Sequence, residues 1–217
     1  MKNLSLLASG LLVCTILYSQ NYNKADSLRS LLAKERTDTG RIVLTYRLAF
    51  ELQYSDPEKS ENLAVLTLEE SKKLKFQKGI ANSLIQLGNI EQIKGNNDKA
   101  EEYNLQAMKI LEKEGIKEGM AVCCNNLGIL AHNRNDYTLA REYYNKSLAI
   151  NRLTGRRSGE ATSLFCIGSL YENQAKFDSA LHYYLDAQKI SESIFDQKLI
   201  AYGKISLANV YFRMENY

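Results

Sequence analysis

From residue 79 onward the apolar positions come in runs of helical spacing, and the runs recur every forty residues. In 119–158, GMAVCCNNLGILAHNRNDYTLAREYYNKSLAINRLTGRRS, such a run extends from Gly119 to about Asn133. Asn135-Asp136-Tyr137 interrupts it with turn formers and an N-cap. A second helical run extends from about Thr138 to Leu153, and Gly155 stands where a left-handed C-terminal cap belongs. The same plan fits 79–118, with Gly95-Asn96-Asn97-Asp98 as the turn and Gly115 as the stop. It fits 159–198 with Ala175-Lys176-Phe177-Asp178 as the turn. No alternating β-branched run interrupts the plan, and the single proline, Pro57, suits long unbroken helices.

Individual columns keep the same step. Gly88, Gly128 and Gly168 are forty apart, with Ala208 next in the series. Ala100, Ala140 and Ala180 follow it, as do Ala81, Ala121, Ala161 and Ala201, and Ile110, Ile150 and Ile190. A fixed period in this range predicts stacked supersecondary units, which make binding surfaces more readily than reaction centres.

The unit resembles the tetratricopeptide repeat. The match reads Cys124, Leu127-Gly128, Ala140, Tyr144, Ser147 in one unit, and Leu164, Ile167-Gly168, Tyr171, Ala180, Tyr184, Ala187 in the next. In the unit before, it reads Leu84, Leu87-Gly88, Ala100, Ala107. Small residues let the paired helices approach closely, and aromatics fill the wedge between repeats. The resemblance implies an all-α fold, a right-handed α-solenoid of antiparallel helix pairs. Departures are Lys204 at a large apolar place, Asn104 at the second aromatic, and Glu112, Arg152 and Glu192 where the family has proline. The period exceeds the family's roughly 34 residues, and the surplus is expected in the second helix and the loop after it. This longer form is similar to repeats of bacterial signalling proteins, including peptide-sensing regulators and extracytoplasmic sensor regions.

The ends complete the organisation. Residues 1–19 place an apolar stretch behind one basic residue, too short for a membrane span, and predict a signal peptide cleaved near Ser19/Gln20. The expected setting is exported, periplasmic or extracytoplasmic. Residues 20–36 hold a short amphipathic helix, with Thr37-Asp38 able to cap the next. Residues 37–78 form a degenerate first repeat with Leu48-Ala49 and Leu52 in the signature places, as terminal repeats often do. Repeats then occupy 79–118, 119–158 and 159–198, and 199–217 is half a repeat. Tyr217 aligns with the turn aromatics Tyr137 and Phe177, leaving Leu207, Val210 and Tyr211 without a covering helix. Burying each is worth roughly 1.5–3 kcal/mol, so the pattern predicts a fragment of a longer chain, ahead of a missing helix supplied by another molecule.

Charge argues against nucleic acid. The 28 basic and 25 acidic side chains give +3, and the balance alternates along the chain: −2 over 79–118, +4 over 119–158, −3 over 159–198. No continuous basic face results. Cys14 would leave with the signal, and Cys123, Cys124 and Cys166 remain as free, mostly buried thiols without zinc-ligand spacing. Two histidines, His132 and His182, are accompanied by no metal, phosphate-loop or nucleophile motif. No enzyme, cofactor or metal is expected of this segment.

Helix geometry places a groove. Counting from the opening Ala of each first helix, sites four, seven, eight and eleven cluster within about 100° and face the core. The opposite side, which in the resembled family lines the concave surface, carries Asn82, Gln86 and Asn89 in one repeat. The next has Asn125, Asn126, Ile129, His132 and Asn133. Then come Phe165, Ser169, Glu172 and Asn173, and finally Tyr202, Asn209 and Arg213. Amides pair with an extended peptide backbone, while Ile129, Phe165 and Tyr202 offer apolar contacts and Arg213 a partner for a carboxylate. The expected function is a protein- or peptide-binding scaffold, as the N-terminal sensory or interaction region of a longer signalling protein. Alternatives are a stand-alone periplasmic assembly scaffold, or the sensor half of a histidine kinase, nucleotide cyclase or transcription regulator with its output beyond Tyr217.

Overall fold

The computed structural model describes residues 24–215; the expected signal peptide, Cys14 and Tyr217 lie outside them. Every regular element among the described residues is an α-helix. The first, α1, spans 24–34. It is followed by α2 (Asp38–Leu52), α3 (Pro57–Lys73), α4 (Gln77–Ile93), α5 (Asn97–Lys113) and α6 (Lys117–Asn133). Then come α7 (Tyr137–Leu153), α8 (Arg157–Asn173), α9 (Phe177–Ser193) and α10 (Gln197–Glu215).

The forty-residue period divides into equal halves. From α3 to α9 every helix has 17 residues. Three residues separate each from the next, and the middle one has positive φ: Lys75, Gly95, Gly115, Asn135, Gly155, Ala175 and Phe195. The expectation that surplus length sits in the second helix and its loop is therefore corrected, because both helices of a pair are equally long. One hydrogen-bond pattern closes all seven ends. At α4, Gly95 N–H donates to Gln92 O (3.0 Å) and Asn96 N–H to Glu91 O (2.8 Å). At α8, Ala175 N–H donates to Glu172 O and Lys176 N–H to Tyr171 O, both at 3.0 Å. This double closure satisfies the orphan carbonyls of a helix end and turns the chain back sharply. Thr37 and Asp136 cap α2 and α7, accepting from Gly40 N and Leu139 N.

The described residues form two compact units, divided between residues 96 and 97. In the first, Ala25 and Leu28 of α1 pack with Leu48 and Leu52 of α2, and Leu63 of α3 lies against them. Ser60 Oγ donates to Ala49 O at 2.7 Å, tying α3 to α2. In the second unit, successive helices pack antiparallel from α5 to α10, and α6, α8 and α10 lie side by side. One apolar core runs through it from Ala131 to Val210.

Two glycine columns set the spacing in the second unit. A Cβ on Gly128 would lie 2.5 Å from the ring of Tyr144, and one on Gly168 2.5 Å from that of Tyr184, so these glycines seat the aromatic of their own repeat. The other column is between repeats. A Cβ on Gly119 would stand 2.5 Å from Leu111, and one on Gly159 2.2 Å from Asn151. Both columns admit a side chain where helix surfaces meet, the close approach that a rigid stack requires.

Candidate binding face

Each first helix touches more than its own partner, and this decides which of the expected groove residues reach solvent. In unit 1, Asn82 and Asn89 of α4 are half-buried. Gln86 is fully buried: its Nε2 donates to Ser60 Oγ at 3.2 Å and to Ala49 O at 3.4 Å. It is a tie to the preceding helix pair and leaves the candidate groove.

The same site one repeat later behaves alike. Asn126 is half-buried on α6, and its Nδ2 donates to Asn104 Oδ1 on α5 at 3.0 Å. Asn104, buried at the place of the family's aromatic, donates in turn to Ala100 O at 2.8 Å. The departure at Asn104 is thus matched by an amide on the facing helix, and Asn126 holds helices together. Phe165 of α8 is also corrected. It is buried, with its ring 5.1 Å from Tyr202 at 82° and 6.1 Å from Tyr184. It glues α8 to α9 and α10 and presents no wall to a groove.

The remaining positions form a face over α6, α8 and α10. Asn133, Asn173 and Asn209 are exposed, as is Tyr202; Ile129, Ser169, His132, Glu172 and Arg213 are half-buried. Asn125 is half-buried, and its Oδ1 is out of solvent with no hydrogen-bond partner. A hydrogen bond from Asn125 reaches the Cys166 thiol, whose pKa burial nonetheless pushes up to about 12.

A polar ladder links consecutive helices along this face. His132 Nε2 lies 2.7 Å from Asn173 Nδ2, and its Nδ1 lies 3.5 Å from the Tyr144 hydroxyl. Burial lowers the His132 pKa, so the ring is neutral. With Asn173 donating to Nε2, the proton sits on Nδ1 and points to Tyr144. One repeat on, the Tyr184 hydroxyl donates to Glu172 Oε2 (2.8 Å), and Arg213 donates to Glu172 Oε1 (3.1 Å). Arg213 also lies over the Phe177 ring at 5.1 Å. Arg213 is therefore engaged within the chain, contrary to its expected role toward a partner's carboxylate. The ladder joins position twelve of one repeat to position thirteen of the next. The tyrosine hydroxyls and the second glycine column escaped the sequence reading, although a twelve-residue step from His132 to Tyr144 and from Glu172 to Tyr184 marks the first.

Among the described residues no group of three or more His, Cys, Asp or Glu side chains is placed to hold a metal ion. No described helix is long and apolar enough to cross a membrane.

Comparison with known proteins agrees with this architecture. Residues 79–152 and 120–193 each match the family model described as "Tetratricopeptide repeat". None of the curated proteins matches the chain. Among solved structures, the chain is similar to BtubC from P. vanneervenii, with 22% identity and a TM-score of 0.65 over 89% of this chain and 81% of that one. It is similar to aspartyl phosphate phosphatase F from Bacillus subtilis, with 13% identity and a TM-score of 0.68 over 96% of this chain and 61% of that one. It is also similar to a Rap protein complexed with competence and sporulation factor, with 14% identity and a TM-score of 0.75 over 92% and 60%. The chain spans about three fifths of the length of these last two. At such identities the likeness is one of fold. The family match is of another kind: it runs through more than half of the sequence and falls on the helix pairs whose packing is described above, so the chain belongs to the tetratricopeptide-repeat family.

Proposed function

We propose that the chain is a non-catalytic scaffold whose face over α6, α8 and α10 holds an extended peptide segment of a partner protein. The observation that carries this reading is the set of amides on a face whose charges are already paired. Asn133, Asn173 and Asn209 are exposed, Asn125 is half-buried, and Glu172 and Arg213 neutralise each other. An amide offers a donor and an acceptor together, the two functions that an extended backbone repeats at every residue. Ile129 and Tyr202 add apolar contact for side chains. The Rap protein of similar fold is complexed with competence and sporulation factor, which lends the reading support by likeness.

The test is a displayed peptide library selected on the purified chain, followed by calorimetry with the selected peptide. Asn125→Ala combined with Asn209→Ala is expected to weaken binding at least tenfold, about 1.4 kcal/mol, with an unchanged melting curve. Equal affinity for the double variant would refute the site.

The setting is part of the same proposal. The apolar stretch 1–19 supports export to the periplasmic or extracytoplasmic side. The forty-residue repeat type supports a sensory or interaction role within a longer signalling protein. N-terminal sequencing of the protein from fractionated cells is expected to find a new terminus near Gln20. Retention of Met1 in the cytosolic fraction would overturn the export.

A further inference from the structure

Away from the ladder, unit 2 carries a cleft of about 620 Å3 between α5 and α7, floored by α6. Its floor is Met120, Cys124 and Leu127. Leu105 and Met108 wall it on α5, and Tyr143 and Ile150 on α7. Lys109 and Lys146 complete the lining with one acidic residue, Glu112.

The cleft follows from side chains that differ between neighbouring repeats. Forty residues on, Leu164 stands in the place of Cys124, Glu160 in that of Met120 and Arg152 in that of Glu112. There Arg152 Nε and Glu160 Oε1 close an ion pair at 3.0 Å across the junction, with Arg157 on the other oxygen at 2.6 Å. Tyr171 also stacks on Tyr183 there, with ring centroids 5.4 Å apart. At the α5–α6 junction the corresponding pair is Glu112 and Met120, which cannot bond. Ala131 replaces Tyr171, so Tyr143 has no stacking partner at that place and lies instead beneath Lys146, 5.6 Å from its ring centre. The cysteine is shorter than the leucine it replaces. The junction is therefore open and mostly apolar in its lining, with lysines in excess among its charged residues.

We propose that this cleft binds a single-chain amphiphile with an anionic head, its hydrocarbon chain lying between α5 and α7. The volume falls within the range of small-molecule sites. Hydrocarbon moved from water onto the floor gains in proportion to the apolar area it covers, and Leu105, Met108 and Ile150 extend that apolar lining up the two walls. Among the lining residues two lysines stand against one glutamate, an excess of one positive charge that favours an anionic head over a neutral or cationic one. Tyr143 at the wall accommodates the junction of chain and head, being apolar in its ring and polar at its tip.

The chain's four methionines include Met108 and Met120, so methyl-labelled methionine reports on the cleft directly. The probe is decanoate, with decanol and decyl phosphate as comparisons, all below their micellar concentrations. Decanoate is expected to shift the Met108 and Met120 methyl resonances saturably and to leave Met214 in place. Cys124→Leu, which installs the next repeat's residue, is expected to weaken decanoate at least tenfold; Ala149→Phe at the mouth does the same should that variant fold poorly. Lys109→Gln with Lys146→Gln is expected to weaken decanoate and leave decanol unchanged. Tighter decyl phosphate than decanoate would identify a phosphate head, within the proposed class. Absence of a saturable shift, indifference to both filling variants, or equal loss of decanol and decanoate in the lysine variant would each overturn the proposal. Peptide binding at the other face is read independently and decides nothing here.

Discussion

Lys75, Ala175 and Phe195 occupy left-handed backbone at φ values of 53°, 55° and 54°. The equivalent places at 95, 115 and 155 are glycine, and 135 is asparagine, which tolerates that region. A side chain with a Cβ costs roughly 1–2 kcal/mol there, partly offset by the freedom that glycine adds to the unfolded chain. Ala175→Gly is therefore expected to stabilise the protein by about 0.5–1 kcal/mol in urea unfolding, and no gain would contradict the strain. His132 supplies a second expectation. Burial lowers its pKa from 6.5, so on acidification the unfolded chain takes up a proton before the folded chain does. Its contribution to stability is thus full above pH 6.5 and declines as the pH falls below that value. His132→Gln should flatten the dependence just below pH 6.5, measured as unfolding free energy against pH. A slope unchanged by the substitution would assign it to other groups.

At the scale of the helix, much was legible in the chain and some was not. The columns Gly128 and Gly168 announce close approach, and the structure seats Tyr144 and Tyr184 on them. The turns at Gly95, Gly115 and Gly155 are where their sequence puts them. A helical wheel has one inside and one outside, and on it Gln86, Asn126 and Phe165 fall in the groove. A first helix in a stack instead meets its own partner, the preceding pair and the following pair. Sites five and six lie between the groove and those neighbours, so their side chains were drawn into contacts that one helix's periodicity does not encode. The ladder was hidden for the same reason, since His132 and Asn173 are 41 residues apart. The equal helices make a further expectation testable. Deleting 119–158 sets Gly159 of α8 where Gly119 met Leu111, and should keep helicity per residue and cooperative unfolding. Deleting the twenty residues 137–156 joins two first helices and should abolish cooperativity. Circular dichroism during urea unfolding distinguishes the two, and equal loss in both would show that the register does not govern the stack.

The second compact unit carries both of the proposed binding surfaces. One is polar and nearly neutral, over α6, α8 and α10; the other, between α5 and α7, is mostly apolar with two lysines and one glutamate in its lining. They share α6, where Asn125 stands on the first and Cys124 lines the second. Adjacent residues on a helix point about 100° apart, so one short segment feeds both without either crowding the other.

The turn at Phe195 has a consequence for how the protein meets proteases. The residue is 80% exposed and its backbone is strained, whereas Tyr144, Phe165, Phe177 and Tyr184 of the same unit are buried between helices. A chymotrypsin-type enzyme cleaves after exposed aromatics in backbone that opens easily. Limited digestion is therefore expected to nick the chain first after Phe195, releasing α10 from a body that stays resistant, as mass spectrometry of the fragments would show. First cleavage elsewhere, with Phe195 left intact, would mean that the turn is held more firmly than its conformation implies. The seam that completes the helical rhythm would then also be the place where the stack could be divided ahead of α10.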